Sequence, residues 1–306
     1  MQSIINRWMA QAIPFVPRAL LQRVSRRYVA GETQADAVAC VRRLAEAGCM
    51  ATVDVLGETT TSFMQARQAA DEYIALLDAL HHAGQRAHVS LKPSAFGLLL
   101  DPARCEAQIE RVLQAAGRHG SFVRLDMEDL RCTQAEIDLF KRLRQRHEHV
   151  GLVLQAYLRR SHGDVAALAR RGENLRICKG IYAEDPAQLV PRAAGDRRAI
   201  NPHFVEHVRR CFEADCFVGI ATHDEALVDE LIALARAMAV DRRRFEFQML
   251  LGVCVPLRDR LLREGFAVRI YVPYGRDWIG YGTRRIKENP AIAGQLLKGL
   301  LAGLAR

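Results

Sequence analysis

The sequence predicts an α/β protein, a (β/α)8 TIM barrel with extra N-terminal helices and a C-terminal helix. Eight short β-prone segments occur along the chain, and each is followed by a stretch with the apolar spacing of a helix. The segments recur at intervals of roughly 22–41 residues, as parallel strands joined by helices do. Eight such units over about 250 residues are typical of a closed barrel.

The predicted strands are short, and each is followed by a turn or a helix signal. They are residues 51–55, 87–91, 122–125, 150–155, 175–178, 217–221, 245–249 and 267–270. The last is expected to end at the turn Pro273-Tyr274-Gly275. Helix starts are predicted at Thr33, at Asp101-Pro102 and at Thr133, which forms a capping-box pattern with Glu136.

These elements divide the chain into three segments. Residues 1–50 are predicted to form an N-terminal helical extension, residues 51–290 the catalytic barrel and residues 291–306 a C-terminal helix. No apolar run reaches the ~18 residues that a membrane span requires. The first thirty residues are amphipathic and contain arginines, which favours a helical extension or a membrane-surface helix over a secretory signal.

Composition narrows the class of protein. The net charge is +9, but the basic residues are scattered and do not alternate with aromatic residues, so nucleic acid is not an expected partner. The eight cysteines form no C-x-x-C pair and no cysteine–histidine pattern with zinc spacing. We therefore expect buried free thiols, no metal site and a cytoplasmic protein, with peripheral contact to the inner face of the cell membrane as an option.

A polar residue lies at or just after the end of every predicted strand. In a (β/α)8 barrel the active site is built from the C-terminal ends of the strands, so we expect these side chains to form a site. They are Glu58, Lys92, Asp126, Gln155, Lys179, Thr222, His223, Gln248 and Tyr271.

The residue types at the strand ends leave several roles open. Lys92 and Lys179 suit either a Schiff-base nucleophile or an anion site. Asp126 and Glu128 suit either acid–base chemistry or pairing with arginines, and His223 is expected to make a local hydrogen bond. No Walker loop or G-x-G-x-x-G is present. From spacing alone the chain is a barrel enzyme that acts on a small anion.

A helix is predicted after the last strand, capped by Asp277 and ended by Pro290. Tyr281, Arg284, Arg285 and Glu288 lie at i, i+3, i+4 and i+7, which places them on one face. Two guanidinium groups beside a tyrosine suit a substrate carboxylate. The alternative is a solvated helix face that carries an arginine–glutamate pair.

Seven motifs, in order along the chain, resemble proline dehydrogenase in its short, single-function bacterial form. They are Leu91-Lys92-Pro93, Arg124-Leu125-Asp126-Met127-Glu128, Leu154-Gln155-Ala156-Tyr157, Arg176-Ile177-Cys178-Lys179-Gly180-Ile181-Tyr182, Ala221-Thr222-His223-Asp224, Phe245-Glu246-Phe247-Gln248-Met249-Leu250 and Tyr281-Gly282-Thr283-Arg284-Arg285-Ile286-Lys287-Glu288-Asn289. Each motif alone is weak, whereas the ordered set is specific.

The resemblance implies a distorted barrel that binds FAD without covalent attachment. It implies oxidation of L-proline to Δ1-pyrroline-5-carboxylate by hydride transfer to flavin N5. Electrons would pass to a membrane quinone, and a separate pyrroline-5-carboxylate dehydrogenase would use the product.

The resemblance also assigns site residues. Lys92, Arg284 and Arg285 would hold the substrate carboxylate, with Glu288 paired to the basic residues or facing the amine. Tyr182, Leu250, Tyr271 and Tyr281 would line the proline ring. Asp126 and Arg176 would act at the catalytic centre, with Arg176 reaching N5 and Gln155 the pyrimidine edge. The remaining flavin contacts would come from Met127, Lys179, Gly180, Ile181, Thr222 and His223.

Two other classes remain as alternatives at this stage. A Schiff-base lyase or aldolase would use Lys179 or Lys92 and would be colourless and trapped by borohydride. A catalytically silent barrel would bind a membrane or a partner through its basic N-terminal helices, with neither flavin nor turnover.

Overall fold

The computed structural model describes residues 27–57 and 59–281. In this part of the chain, eight parallel strands close into a barrel in sequence order. The strands are β1 (Met50–Val55), β2 (His88–Leu91), β3 (Val123–Leu125), β4 (Val150–Gln155), β5 (Asn174–Cys178), β6 (Phe217–Ala221), β7 (Phe245–Leu250) and β8 (Val268–Tyr274). The predicted fold is confirmed, and the first seven predicted strands agree to within one residue at each end.

Helices surround the barrel. The first precedes β1, and one follows each of β1 to β7. They are α1 (Gln34–Glu46), α2 (Phe63–His82), α3 (Pro102–Arg118), α4 (Leu130–Arg144), α5 (Ser161–Leu168), α6 (Asn201–Glu213), α7 (Glu225–Ala237) and α8 (Val255–Arg263). The predicted caps at Thr33 and Asp101 are confirmed. The Thr33 side chain forms a capping box with Asp36, and the Asp101 carboxylate accepts from two backbone N–H groups of α3.

The predicted helix start at Thr133 is wrong, because α4 begins one turn earlier. Asp129 is the cap, and its carboxylate accepts a hydrogen bond from the Arg131 backbone at 3.0 Å. Glu136 lies inside the helix, fully buried, and accepts from the Glu128 backbone N–H at 3.2 Å. The capping-box spacing is therefore met by residues that lie within the helix.

The predicted end of β8 is also wrong, because the strand continues through Pro273 to Tyr274. Proline lacks the backbone donor of a strand residue, but its carbonyl still accepts. The Ala30 N–H donates to the Pro273 carbonyl at 2.9 Å, and the Gly275 N–H donates to Gly31 at 2.9 Å. The segment before α1 thus supports the end of β8.

Polar side chains occupy the interior of the barrel, in layers. Near the N-terminal ends of the strands, Arg269 pairs with Glu246 at 2.6 Å, and Arg124 donates to the Asn174 side chain at 2.5 Å. Gly151 gives Arg124 its space, since a Cβ atom there would lie 2.5 Å from the guanidinium group. Apolar residues from the outer faces of the strands pack against the helices and form one core.

Several other predictions meet this structure only in part. All eight cysteines are free thiols and six are buried, but Cys178 is half-buried and Cys254 is exposed.

No helix in the described ranges is long and apolar enough to cross a membrane. A helical turn begins at Trp278 directly after Asp277, as predicted. Residues 1–26, Glu58 and residues 282–306 lie outside the described residues, so the three-segment division stays a prediction.

Candidate functional site

One carboxylate connects three strands at the C-terminal end of the barrel. Asp126, which directly follows β3, accepts hydrogen bonds from Ser90 Oγ at 3.0 Å, Arg176 Nη1 at 2.8 Å and Tyr271 OH at 2.8 Å. These donors lie on β2, β5 and β8. Because the strand ends meet at this edge, residues far apart in sequence form one charged cluster.

The Arg176 guanidinium group is held on several sides. Its Nε atom donates to Gln248 Oε1, and its Cζ atom lies 5.5 Å from the centre of the Tyr271 ring. Gln248 in turn donates to Glu246 at 2.6 Å. The Arg176 side chain is only 7% exposed, so protein contacts hold it in place.

A second ion pair lies beside this cluster. Lys92 Nζ is 2.5 Å from Asp54 Oδ1, and their side chains are 22% and 1% exposed. Burial raises the pKa of Asp54 above its usual range, although Lys92 opposes the shift. Burial acts to lower the pKa of Lys92, but the Asp54 and Asp126 carboxylates outweigh it and hold that pKa above the usual range.

Glu128 has a structural role next to this pair. Its carboxylate accepts from the Ser94 backbone N–H at 2.8 Å and the Ser94 hydroxyl at 2.5 Å. Its carbonyl accepts from Gln155 Nε2 at 2.8 Å. Burial raises the pKa of Glu128, and burial together with the Glu128 charge raises the pKa of Glu136 to about 9. These contacts tie the β3–α4 connection to the end of β4.

A further set of polar groups lies at the ends of β5, β6 and β7. Lys179 Nζ contacts Asp224 Oδ2 at 2.7 Å, and Asn201 donates to the same oxygen at 3.0 Å. His223 Nε2 accepts from the Leu250 backbone N–H at 2.9 Å, which links the ends of β6 and β7. Thr222 Oγ1 accepts from the Asp224 N–H at 3.2 Å.

The β5 strand continues into a tightly packed turn. Gly180 has a φ of +98°, and a Cβ atom there would collide with the Tyr157 ring. Only glycine fits this position, because other residues rarely adopt that conformation. The turn is held by Arg197, which donates to the Gly180 carbonyl at 2.8 Å, and by Tyr157, which donates to the Tyr182 carbonyl at 3.3 Å. Ile181 is half exposed at its tip.

The structure brings most of the predicted site residues to one end of the barrel. Lys92, Asp126, Arg176 and Tyr271 lie in one cluster with its ion pairs, and Met127 and Gln155 lie buried at the ends of neighbouring strands. Lys179, Gly180, Thr222, His223 and Leu250 follow in order around the barrel, and Tyr281 is buried in the turn of helix after β8. Arg284, Arg285 and Glu288 lie outside the described residues.

Sequence reasoning missed Asp54, Ser90, Tyr73 and Asp224. The search used residues at or just after the end of each predicted strand, whereas Asp54 and Ser90 lie inside β1 and β2, opposite each other in the register. A signal existed, because a carboxylate in the middle of a buried β segment is rare without a partner. Tyr73 had no such signal, since a tyrosine on an apolar helix face is ordinary.

Fold and site together define a (β/α)8-barrel enzyme whose charged catalytic end suits a small anionic molecule. Sequence comparison then gives the family. A family model described as "Proline dehydrogenase" matches residues 37–298, and the chain belongs to the proline dehydrogenase family. It is an oxidoreductase of proline catabolism.

Characterised relatives agree with this family. The chain is 35% identical over 291 residues to "Proline dehydrogenase" of Deinococcus radiodurans, covering 94% of this chain and 93% of the relative. It is 34% identical over 281 residues to "Proline dehydrogenase 1" of Bacillus subtilis strain 168, covering 90% of each.

A solved structure supports the fold. Proline utilization A (PutA) from Bdellovibrio bacteriovorus, inactivated by N-propargylglycine, superposes with a TM-score of 0.79 at 22% identity. The match covers 88% of this chain and 33% of that longer protein. The chain therefore corresponds in fold to about one third of the larger protein.

The family assignment removes the two alternative classes. Lys92 is engaged by Asp54. Lys179 is engaged by Asp224. A silent scaffold does not account for a buried charged cluster at the end of the barrel.

Proposed function

We propose that this barrel oxidises L-proline to Δ1-pyrroline-5-carboxylate with non-covalently bound FAD and passes the electrons to a membrane quinone. The observation that carries the proposal is the cluster of Asp126, Arg176 and Tyr271 beside the ammonium group of Lys92. It supplies fixed cations at the end of the barrel where substrates bind.

The chemistry of the residues at the ends of β4 to β7 fits a flavin dinucleotide. Gln155 is an amide suited to the pyrimidine edge, and Lys179 is a cation suited to the pyrophosphate. Met127, Gly180, Ile181, Thr222 and His223 complete the proposed contacts. When bound, FAD supplies a two-electron acceptor for the hydride that leaves proline.

The substrate carboxylate is assigned to Lys92, which directly follows β2 and whose side chain is 22% exposed. We call this C-terminal end of the barrel the mouth. Arg284 and Arg285 are proposed to join it, and Glu288 to pair with these cations or face the amine. Fixing the carboxylate orients the five-membered ring, so that binding energy positions C5, the carbon that reacts. Tyr182, Leu250, Tyr271 and Tyr281 are proposed to line the ring.

The reaction needs a neutral ring nitrogen, because the nitrogen lone pair forms the C=N bond as C5 loses hydride. The chain's task is therefore orientation and electrostatics. Arg176 keeps a positive charge in a buried position, and Asp126 holds it there through a 2.8 Å contact. A charge that is already in position stabilises negative charge as it develops during the reaction, and no side chain has to rearrange.

Exposed apolar side chains support the proposal that the electron acceptor is apolar. Phe63 and Met64 at the start of α2 are 42% and 72% exposed, and Leu99 and Leu100 before α3 are 49% and 43% exposed. The two segments are adjacent, since the Arg104 guanidinium lies 4.3 Å from the centre of the Phe63 ring. We call these four residues the mouth patch. It lies at the same end of the barrel as the charged cluster, where a membrane quinone would approach.

Two assays test the proposed function. Denaturing the purified protein is expected to release FAD into solution, because no covalent link holds it. Proline turnover in the presence of o-aminobenzaldehyde is expected to give the coloured adduct of pyrroline-5-carboxylate, the compound that a separate dehydrogenase would then use. Turnover without this adduct, or a protein that takes up no flavin, would contradict the proposal.

A further inference from the structure

Asp54 is a charged residue buried inside β1. Its side chain is 1% exposed. The register of the barrel places it opposite Ser90 on β2 and Pro273 on β8. A carboxylate in such a position loses its hydration, which is costly unless specific partners compensate for it.

Besides Tyr271 on β8, Asp54 has two partners, which approach from different directions. Tyr73 approaches from α2, in the helix layer outside the barrel, and its hydroxyl lies 3.4 Å from Asp54 Oδ1. The same hydroxyl donates to the Ser90 carbonyl at 2.6 Å and accepts from the Val55 N–H at 3.0 Å, which fixes it. Lys92 approaches from the mouth at 2.5 Å. The carboxylate therefore lies between a fixed hydroxyl and a partly exposed ammonium group.

The pairing leaves Lys92 able to bind a second anion. An ammonium group has three N–H donors, and the contact with Asp54 uses one of them. Burial alone would push the Lys92 pKa down, and Asp54 is the largest of the influences that raise it. The other titratable groups that face the pair are Asp126, Glu128, Tyr73, Tyr271 and Tyr274.

We propose that Asp54 is a positioning residue that keeps Lys92 charged and directed towards the mouth, so that Lys92 can hold the substrate carboxylate. The inference rests on the substrate-binding role proposed for Lys92. Asp54 does not contact the substrate in this account and acts only through the lysine.

Asp54→Asn tests this role, because it keeps the shape and removes the charge. Lys92 should then lose its proton at lower pH. We expect the KM for L-proline to rise about tenfold near neutral pH and further near pH 9, with kcat changed less than about threefold, as for a contact equally strong in the ground and transition states. A fall in kcat as large as the fall in kcat/KM would overturn the proposal.

A double-mutant cycle separates the proposed role from a merely structural one. In a Lys92→Met background, Asp54→Asn should leave KM within about twofold, since the residue through which Asp54 acts is absent. An equal KM effect in both backgrounds would contradict the proposal. Tyr73→Phe removes only the hydroxyl that lies next to Asp54, and it should raise KM less than Asp54→Asn does. It replaces Asp54→Asn in this test if that variant folds poorly.

Thermal unfolding gives a readout that does not depend on turnover. Lys92→Met leaves a buried carboxylate unpaired and should lower Tm, and adding Asp54→Asn should restore part of the loss. If the two substitutions lower Tm additively, the pair is not coupled and the inference fails. If instead the unaltered enzyme does not oxidise proline, the proposed function fails, while this stability cycle still tests the pair.

Discussion

At the scale of single residues, Asp126 organises the site. It accepts from Ser90, Arg176 and Tyr271, and these contacts engage both carboxylate oxygens. Because both oxygens already accept hydrogen bonds, this carboxylate is better suited to holding Arg176 in position than to carrying a proton. The strength of such hydrogen bonds comes from the charge on the acceptor and the low exposure of the cluster.

Lys179 gives a prediction about the cofactor. If its ammonium group contacts FAD, Lys179→Ala should raise the Kd of the apoprotein for FAD about tenfold, the loss expected of one charge-assisted contact. Titration of apoprotein with FAD, followed by flavin fluorescence, measures this. Lys141→Ala is the matched control, because Lys141 is exposed on α4 and its loss should leave the Kd unchanged.

The two variants also define the contrary result. An unchanged Kd in Lys179→Ala would mean that the lysine serves only its ion pair with Asp224. A Kd raised equally in Lys141→Ala would mean that general positive charge, and not a contact, attracts the dinucleotide.

Single residues at strand ends were predictable from the sequence because a parallel barrel places those positions at its active end. This rule found Lys92, Asp126 and Tyr271. It could not find Asp54, whose importance depends on the register between β1 and β2. Register depends on pairing between segments that are distant in sequence, so the strand-end rule alone does not reveal it.

At the scale of elements, the start of α4 shows how a local pattern can mislead. Thr133 and Glu136 have capping-box spacing, yet both are fully buried inside the helix. Asp129 caps the helix instead, because its carboxylate accepts a hydrogen bond from the Arg131 backbone N–H. Tertiary packing thus overrides the start that the capping-box spacing predicts.

Glu136 in α4 gives a prediction about stability and pH. Its folded-state pKa of about 9 lies above the ordinary value of 4.5. The folded protein therefore keeps a proton that the unfolded chain releases, and stability falls as pH rises through this window. Glu136→Gln mimics the protonated form. Its Tm should match the parent near pH 5 and exceed it by about 2–4 °C near pH 8.

Differential scanning calorimetry over this pH range measures the effect. Glu136→Ala is the contrasting variant, since it removes packing and should lower Tm at every pH. A Glu136→Gln protein less stable than its parent near pH 8 would show that the buried group is ionised and favourably paired.

At the scale of the whole molecule, the charged cluster and the mouth patch lie at one end of the barrel. This arrangement suits an enzyme that takes a small polar substrate and delivers electrons to an apolar partner. The barrel itself was predictable, because eight repeats of one pattern outweigh errors at any single boundary. The face carrying Arg284, Arg285 and Glu288 lies outside the described residues and stays a prediction.

The mouth patch gives a prediction about the electron acceptor. Replacing Met64 and Leu99 by serine removes exposed apolar surface and should not disturb the core. We expect proline-dependent reduction of quinone in lipid vesicles to fall about tenfold, while reduction of a soluble dye is unchanged. Equal rates with vesicle quinone in parent and variant would place the approach of the quinone elsewhere.

The most direct test of the account is the visible spectrum of the purified protein, recorded without oxygen before and after addition of L-proline. The account predicts flavin bands that bleach when proline is added, which would join cofactor, substrate and reaction in one observation. Flavin bands that persist with L-proline, or a protein without flavin bands even after incubation with FAD, would contradict it.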